Sequence, residues 1–263
     1  MGTRWKGKNT ASTAKSNPMS QIIAQFQSSL SLSNAQAMLS NQTALFEATP
    51  DLADLLNRSC FGREITAHNK TKRWFQFTLE ETFFLNQNLH ALTIVTDKDC
   101  KVDNVELWEY MKSKKAKFPE QYKAYENLRA KNWVVRSGTQ YGGDFVAYRH
   151  HPALVHSEFV VIVMTEGDDD DGSNERLRVW SDLQCGLRVC GSVAKTLLVL
   201  SVNKNGSDLS SPSCLDKFSV EENVVERWVA EQCREEDLSG KGKRSVVAEQ
   251  REGNCSGQEE DCL

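Results

Sequence analysis

The stretch WVVRSGTQYGGDFVAYRHHPALVHSEFVVIVM, residues 133–164, is the strongest structural signal in the second half of this chain. It contains three runs that are rich in β-branched and aromatic residues, and such runs predict strands. The runs are residues 133–138, 144–148 and 157–164. A glycine-containing turn separates the first two, so the sequence predicts a mostly antiparallel group of strands.

The loop between the second and third runs is unusual because it holds three of the five histidines of the chain. They are His150, His151 and His156. A strand has no structural need for this much imidazole, so a metal site, a proton-transfer site and a polar loop are all open interpretations. His150 and His151 are adjacent and point to opposite sides of an extended chain, so we expect them to be loop residues.

Hydrophobic periodicity predicts further helices and strands on both sides of this stretch. Upstream, we expect an amphipathic helix from Ser20, a strand over 73–78, a helix opened by a capping box of Thr78 and Glu81, and a strand over 91–95. Downstream, we expect a helix over 104–112, a helix with Pro119 in its first turn that ends near Asn132, a helix capped by Ser181 or Asp182, and strands over 196–202 and 223–229.

These elements predict an α/β (α+β) protein with a small amino-terminal α/β domain followed by a mixed sheet with flanking helices. The predicted parts are a disordered basic tail over 1–19, the small domain over 20–103, the larger domain over 104–232 and a disordered tail over 233–263.

The bulk composition excludes several classes of protein. An apolar fraction of 39% and a charged fraction of 26% are typical of soluble globular proteins. No apolar run approaches the length of a membrane span, and the start lacks the apolar segment of a secretory signal. The eight cysteines form no CxxC pair, so we expect reduced thiols, no metal and no other cofactor.

Charge is distributed unevenly, although the net charge is only −4. Residues 112–136 hold eight basic side chains against two acidic ones, a local balance of +6. Such a segment can present a face that attracts phosphates, or it can be a solvated helix face. Composition leaves both interpretations open.

Three ionisable residues lie where predicted elements meet, and together they could cleave RNA without a metal. Tyr148 ends one strand, His156 precedes the next and Lys195 lies between a helix and a strand. Histidine suits a general acid and lysine suits phosphate oxygens. Tyrosine is a poor base because its pKa is about 10, but Lys195 nearby could lower that value. The alternative is an ordinary rim aromatic and a lysine that favours a helix end.

Four motifs give the sequence a resemblance to a known family. They are L-R-x-K-x-W-V-V at 128–135, D-F-x-x-Y at 144–148, H-S-E-F at 156–159 and S-V-x-K-x-L-L at 192–198. With RWKGK at 4–8 and LLNRSCFGR at 55–63, they resemble the catalytic subunits of the tRNA-splicing endonuclease. The similarity is strongest to the plant form of the subunit that cuts the 5′ splice site.

The resemblance implies a restriction-endonuclease-like catalytic domain that uses no metal. By position it implies that Tyr148 is the general base, His156 the general acid and Lys195 the stabiliser of the transition state. It further implies that Arg188 and Trp228 sandwich a base of the intron bulge. The expected products carry a 2′,3′-cyclic phosphate and a 5′-hydroxyl. His150 and His151 would then be loop residues that can contact RNA.

The resemblance also implies partners and a compartment. It implies a nuclear heterotetramer with a second catalytic subunit and two structural subunits, acting on precursor tRNA rather than DNA and without a membrane. Residues 223–231 are then a candidate interface, and the acidic loop 166–172 is a docking element or a solvated loop. A non-catalytic structural RNA-binding subunit and a metal-dependent nuclease are the competing interpretations.

Overall fold

The computed structural model describes residues 3–65, 73–166, 177 and 179–226. Residues 1–226 form one compact unit. Several predictions lie outside the described residues: the acidic loop beyond Glu166, Trp228, the end of the candidate interface and the tail over 233–263. Among the described helices, none has the length and apolar character needed to cross a membrane.

The first half of the compact unit is a five-stranded sheet with helices packed against it. Its elements are α1 Thr10–Ser16, α2 Met19–Leu32, β1 Gln36–Ser40, β2 Thr43–Ala48, α3 Pro50–Ser59, β3 Arg63–Ile65, β4 Arg73–Phe77, α4 Leu79–Gln87 and β5 Thr93–Val95. The predicted helix near Ser20 is confirmed as α2, which buries Ile22, Phe26 and Leu30. The predicted capping box is also confirmed, because Thr78 and Glu81 exchange hydrogen bonds at the start of α4.

The strand order in this first sheet is β3-β4-β2-β1-β5. β1 and β5 are parallel, and the other neighbours are antiparallel. The strands β1, β2 and β3 were not predicted from the sequence. Asn41, at the turn between β1 and β2, has a φ of 52°, a conformation that asparagine tolerates better than most residues.

The second half contains the sheet that the opening stretch predicts. Its elements are α5 Asn104–Lys114, α6 Phe118–Ala130, β6 Val134–Ser137, β7 Phe145–Tyr148, β8 Phe159–Glu166, α7 Trp180–Ser192, β9 Thr196–Asn203 and β10 Ser219–Val225. The strand order is β10-β9-β8-β7-β6. β8 and β9 are parallel, whereas the other pairs are antiparallel, so the predicted mixed sheet with flanking helices is confirmed.

The predicted cap of α7 is wrong. The helix begins at Trp180 after the N-cap residue Val179, which makes no side-chain capping bond. Ser181 and Asp182 therefore lie inside the first turn. Asp182 still favours the helix there, because a negative charge near the amino end complements the helix dipole.

One hydrophobic core runs through both halves of the compact unit. At its centre Phe83 of α4 packs edge-on against Tyr122 of α6, with ring centroids 4.7 Å apart. The buried guanidinium of Arg129 on α6 donates to the Cys60 carbonyl at 3.2 Å and lies 4.2 Å from the centre of the Phe61 ring. These contacts hold α6 of the second half against α4 and the Cys60–Phe61 segment of the first half.

The prediction of a disordered tail over residues 1–19 is wrong for the part that the structure describes. α1 covers Thr10–Ser16 and buries Ala14. Low apolar content suggested disorder because such segments bury too little surface to offset the entropy of ordering. Here a segment with few apolar residues is held instead by backbone pairing.

That pairing joins the segment to the loop that precedes β8. Trp5 forms an antiparallel bridge with Val155. The Lys6 N–H donates to the Leu154 carbonyl at 2.9 Å, and the His156 N–H donates to the Arg4 carbonyl at 3.0 Å. We call residues 3–6 the strap.

Gly143, before β7, permits a close approach of the chain to β8. A Cβ at this position would lie 2.5 Å from Val160 Cγ1 and 2.9 Å from the Val161 carbonyl oxygen. Because one neighbour is backbone of a central strand, it cannot simply rotate away.

We expect Gly143→Ala to lower the free energy of unfolding by about 1–3 kcal/mol, the usual cost of overpacking. Gly186→Ala is the control, since a Cβ there meets only Leu197 Cδ2 at 3.9 Å inside α7. It should raise stability by about 0.5–1 kcal/mol because alanine favours helix. Urea denaturation measures both changes. Equal effects of the two substitutions would contradict this account of Gly143.

Candidate active site

The three strands β7, β8 and β9 bring Tyr148 and Lys195 to the same end of the second sheet. The Glu158 N–H donates to the Ala147 carbonyl at 2.9 Å, and the Glu158 carbonyl accepts from the Thr196 N–H at 2.9 Å. Ala147 and Thr196 directly adjoin Tyr148 and Lys195. The predicted positions of the two residues, at a strand end and at a helix-to-strand junction, are confirmed.

Tyr148 is half-buried between two small apolar clusters. One contains Val146 and Leu197, and the other contains Cys60 and Val134. Burial raises the pKa of Tyr148, while a hydrogen bond with the Ser157 side chain opposes that rise. The expected lowering by Lys195 does not set this pKa, because desolvation of the phenol dominates.

His156 is exposed three residues before β8, beside the strap. Partial desolvation lowers the pKa of His156, and the positive charges of Arg4, Lys6 and Lys195 lower it further. A cation near an imidazole disfavours its protonated form. The influence of Lys195 on this ring places the two side chains in one electrostatic environment.

Lys195 extends over an aromatic ring, and among the described residues it forms no ion pair with a carboxylate. Its Nζ lies 4.8 Å from the centre of the Tyr141 ring, a cation–π distance. Burial lowers the pKa of Lys195, and Arg4 is the next cause of that shift. The ammonium group is thus held at the site by a contact that leaves its charge available to an anion.

The other two histidines of the opening stretch form hydrogen bonds with the protein backbone. His150 is 6% exposed, and its Nε2 lies 2.8 Å from the Asn17 carbonyl oxygen. The expectation that His150 contacts RNA is therefore wrong, because its ring joins the loop to the amino-terminal segment. His151 Nδ1 accepts from the Ala153 N–H at 3.0 Å, and burial lowers the pKa of His151.

Of the two residues expected to stack on a base of the intron bulge, the structure describes only Arg188. Arg188 is exposed on α7, one position beyond Leu187, which faces the sheet. A base can stack on an exposed guanidinium. Trp228 lies outside the described residues, so its pairing with Arg188 stays a prediction.

Several cations of the basic segment 112–136 pair with acids from other elements. Lys115 pairs with Glu80 at 2.5 Å and Lys131 with Glu222 at 2.6 Å. Arg136 donates to the Gly62 carbonyl at 2.6 Å. Of the two interpretations left open by composition, these contacts favour a solvated, ion-paired face over a phosphate-binding one.

Sequence reasoning missed several contributors to the site. Ser157 and Glu158 lie within the H-S-E-F motif beside His156, and their roles follow from strand register. The carboxylate of Glu158 accepts from Thr3 Oγ1 at 2.7 Å and from Arg149 Nε at 3.1 Å. The position of Thr3 required knowledge that the strap is ordered, which local sequence did not give.

The arrangement provides three groups with different chemical capacities at one sheet end. They are a phenol, an imidazole and an ammonium. Such a set can accept a proton, donate a proton and stabilise an oxyanion. Within the described ranges, no cluster of three or more His, Cys, Asp or Glu side chains is placed to hold a metal ion.

Comparison with known proteins identifies relatives over most of the chain. Residues 35–108 match the family model for the tRNA intron endonuclease N-terminal domain, and residues 118–209 match that for the tRNA intron endonuclease catalytic C-terminal domain. A probable tRNA-splicing endonuclease subunit Sen2 from Oryza sativa is 48% identical over 242 residues, covering 89% of this chain and 83% of the relative.

Two further relatives extend the comparison. The tRNA-splicing endonuclease subunit Sen2-2 from Arabidopsis thaliana is 46% identical over 248 residues, covering 94% of this chain and 96% of the relative. A tRNA-splicing endonuclease from Saccharolobus solfataricus is 39% identical over 93 residues, 35% of this chain and 50% of the relative. The resemblance to plant forms found in the sequence motifs is confirmed.

We expect Lys195→Met to raise the pKa of His156, because it removes one of the positive charges that lower that value. NMR titration of the imidazole C–H resonances measures the shift. Lys98→Met, in the loop after β5, is the control and should leave His156 unchanged. An unaltered His156 titration in the Lys195 variant would show that the two groups do not share a site.

Proposed function

Because this chain belongs to the family of tRNA-splicing endonuclease subunits, we propose that it is a catalytic subunit that cleaves intron-containing precursor tRNA, at the 5′ splice site. The observation that carries the proposal is the meeting of Tyr148, His156 and Lys195 at one end of a mixed sheet. A non-catalytic RNA-binding subunit has no chemical need for this arrangement.

The proposed reaction is a transesterification within the RNA. Tyr148 removes the proton of the 2′-hydroxyl, and that oxygen attacks the adjacent phosphorus. The bond from phosphorus to the 5′-oxygen then breaks, and His156 gives its proton to the departing oxygen. The products are a 2′,3′-cyclic phosphate and a 5′-hydroxyl, with one proton taken up by Tyr148 and one released by His156.

Lys195 stabilises the negative charge that accumulates on the non-bridging oxygens as phosphorus becomes five-coordinate. A preorganised cation aimed at developing charge is among the largest catalytic contributions available to a protein. The contact with the Tyr141 ring supports this role, since it orients the ammonium group without neutralising it.

The proposed reaction requires Tyr148 to be deprotonated and His156 to be protonated at the same time. Burial raises the pKa of Tyr148, whereas desolvation and nearby cations lower that of His156. The reactive form, a phenolate with an imidazolium, is thus a minor species in the free protein. Bound RNA favours the acid form of His156, because phosphate charges raise the pKa of a neighbouring imidazole.

The remaining elements of the proposal concern binding and assembly. Arg188 and Trp228 stack on a base of the intron bulge, as a guanidinium and an indole can do without demanding one sequence. The subunit works in the nucleus within a heterotetramer that contains a second catalytic subunit and two structural subunits. Strand β10 at the sheet edge supports an interface there, since its Val224 is 56% exposed.

We expect His156→Ala in the assembled enzyme to slow cleavage at one splice site by about 10²–10⁴-fold, the usual contribution of a general acid. A precursor tRNA with sulfur in place of the departing 5′-oxygen should restore cleavage, because a thiolate leaves without protonation. Gel analysis of the exon and intron fragments identifies the affected site.

Tyr148→Phe is the matched control for that rescue. It should remain slow on the sulfur-containing substrate, since loss of the base is independent of the leaving group. Normal cleavage at both sites by the His156 variant would refute its role. Loss of the 3′ cut alone would reassign the splice site but not the chemistry.

We expect cleavage at the site assigned to this subunit to persist in EDTA, because the three proposed groups supply the proton transfers and the charge stabilisation. The measurement is the initial rate of exon release, with size-exclusion chromatography to verify that the assembly is intact. A substrate with a single 2′-deoxy nucleotide before the cut should not be cleaved. Full loss of activity in EDTA at preserved assembly would favour a metal-dependent nuclease.

A further inference from the structure

The strap places two positively charged side chains beside the site, and the proposed mechanism gives neither of them a role. Arg4 and Lys6 are exposed, and they flank Trp5, which pairs with Val155. The backbone bond from the His156 N–H to the Arg4 carbonyl, 3.0 Å long, fixes the strap directly beside the proposed general acid.

Strand geometry determines which side chains share a face. In an antiparallel pair, directly opposed residues project to the same side, and the next pair along projects to the other. Trp5 and Val155 project to one side, where Val155 is fully buried. Arg4 and His156 are the next opposed pair, so their side chains share the exposed face, and Lys6 returns to that face two residues later.

The electrostatics agrees with this placement. The positive charges of Arg4 and Lys6 lower the pKa of His156, and they also lower the pKa of Lys195. The nearby carboxylate of Glu158 is engaged by Thr3 at 2.7 Å and by Arg149 at 3.1 Å. Three cations gathered around one imidazole repel one another, and binding of an anion would relieve that repulsion.

We propose that Arg4 and Lys6 bind the RNA backbone on the leaving-group side of the cut, at the phosphate that follows the nucleoside whose 5′-oxygen departs. This assignment rests on the proposed function. It follows from the pairing of Arg4 with His156, because the residue opposite the general acid lies beside the nucleoside that the acid protonates. Lys195 remains the cation of the cleaved phosphate itself.

The test compares Arg4→Gln and Lys6→Met with Lys8→Met in the assembled enzyme. Lys8 is exposed in the same segment but is not among the charges that act on His156. Arg4→Gln and Lys6→Met should each lower kcat/KM by roughly 10-fold, as for loss of a charged hydrogen bond. Each should reduce the slope of log kcat/KM against log salt by about 0.7–0.9. Lys8→Met should change neither quantity.

A neutral methylphosphonate at the leaving-side phosphate locates the contact. This substitution should slow cleavage by the unaltered enzyme about as much as Arg4→Gln slows cleavage of the ordinary substrate. The Arg4→Gln variant should cleave the neutral substrate no more slowly than the ordinary one. Arg4→Lys should recover part of the rate, because it restores the charge. An equal loss by the Arg4 variant on charged and neutral substrates would overturn the assignment.

Two measurements separate this inference from the proposed function. Hydrogen exchange of the His156 amide verifies that the strap remains paired in Arg4→Gln, and NMR titration should show a raised His156 pKa. If the unaltered enzyme cleaves and His156→Ala does not, while Arg4→Gln and Lys6→Met match Lys8→Met, the strap has no role in RNA binding. If the unaltered enzyme does not cleave precursor tRNA, the proposed function itself fails.

Discussion

The backbone of Glu158 is the constraint on which the site depends. Its N–H bonds Ala147 of β7 and its carbonyl bonds Thr196 of β9. Tyr148 and Lys195, which adjoin these two residues, are thereby brought together although they lie 47 positions apart in sequence. Because a shift of register by one residue turns the side chains of a strand to the opposite face, the orientation of Tyr148 depends on this pairing. Asp144 supports the register, since its Oδ2 accepts from the Val163 N–H at 2.9 Å. Gly143 supports it by allowing the turn to approach β8.

The distribution of charge has a different meaning from the one that composition suggests. In the longest basic segment of the chain, Lys115 and Lys131 pair with Glu80 and Glu222 of other elements and so contribute to packing. The cations that act on the proposed catalytic histidine come instead from three separated positions, Arg4, Lys6 and Lys195. An overall negative charge is therefore compatible with a small positive site, because the field near a reacting group depends on a few side chains within several ångströms.

Much of the second sheet could be predicted because alternation, glycine turns and helix caps are local signals. The positions of Tyr148, His156 and Lys195 at element ends are confirmed for this reason, while the roles proposed for them follow from a family resemblance. The strap could not be predicted, because its order depends on pairing with Val155 far along the chain. The short strands β1 to β3 were missed, and the direction of the Tyr148 pKa shift was misjudged, since local sequence does not reveal how buried a phenol is in the folded protein.

The strap also has a consequence for the order in which the protein is assembled during synthesis. Thr3 and its hydrogen-bond partner Glu158 are separated by 155 positions. At the usual rate of translation, the strap leaves the ribosome about 8–30 s before that partner does. Its residues must stay free of other partners throughout this interval, which suits a short, charged and polar segment better than an apolar one. The hydrophilic composition that suggested disorder is thus the composition expected of a chain segment that folds late.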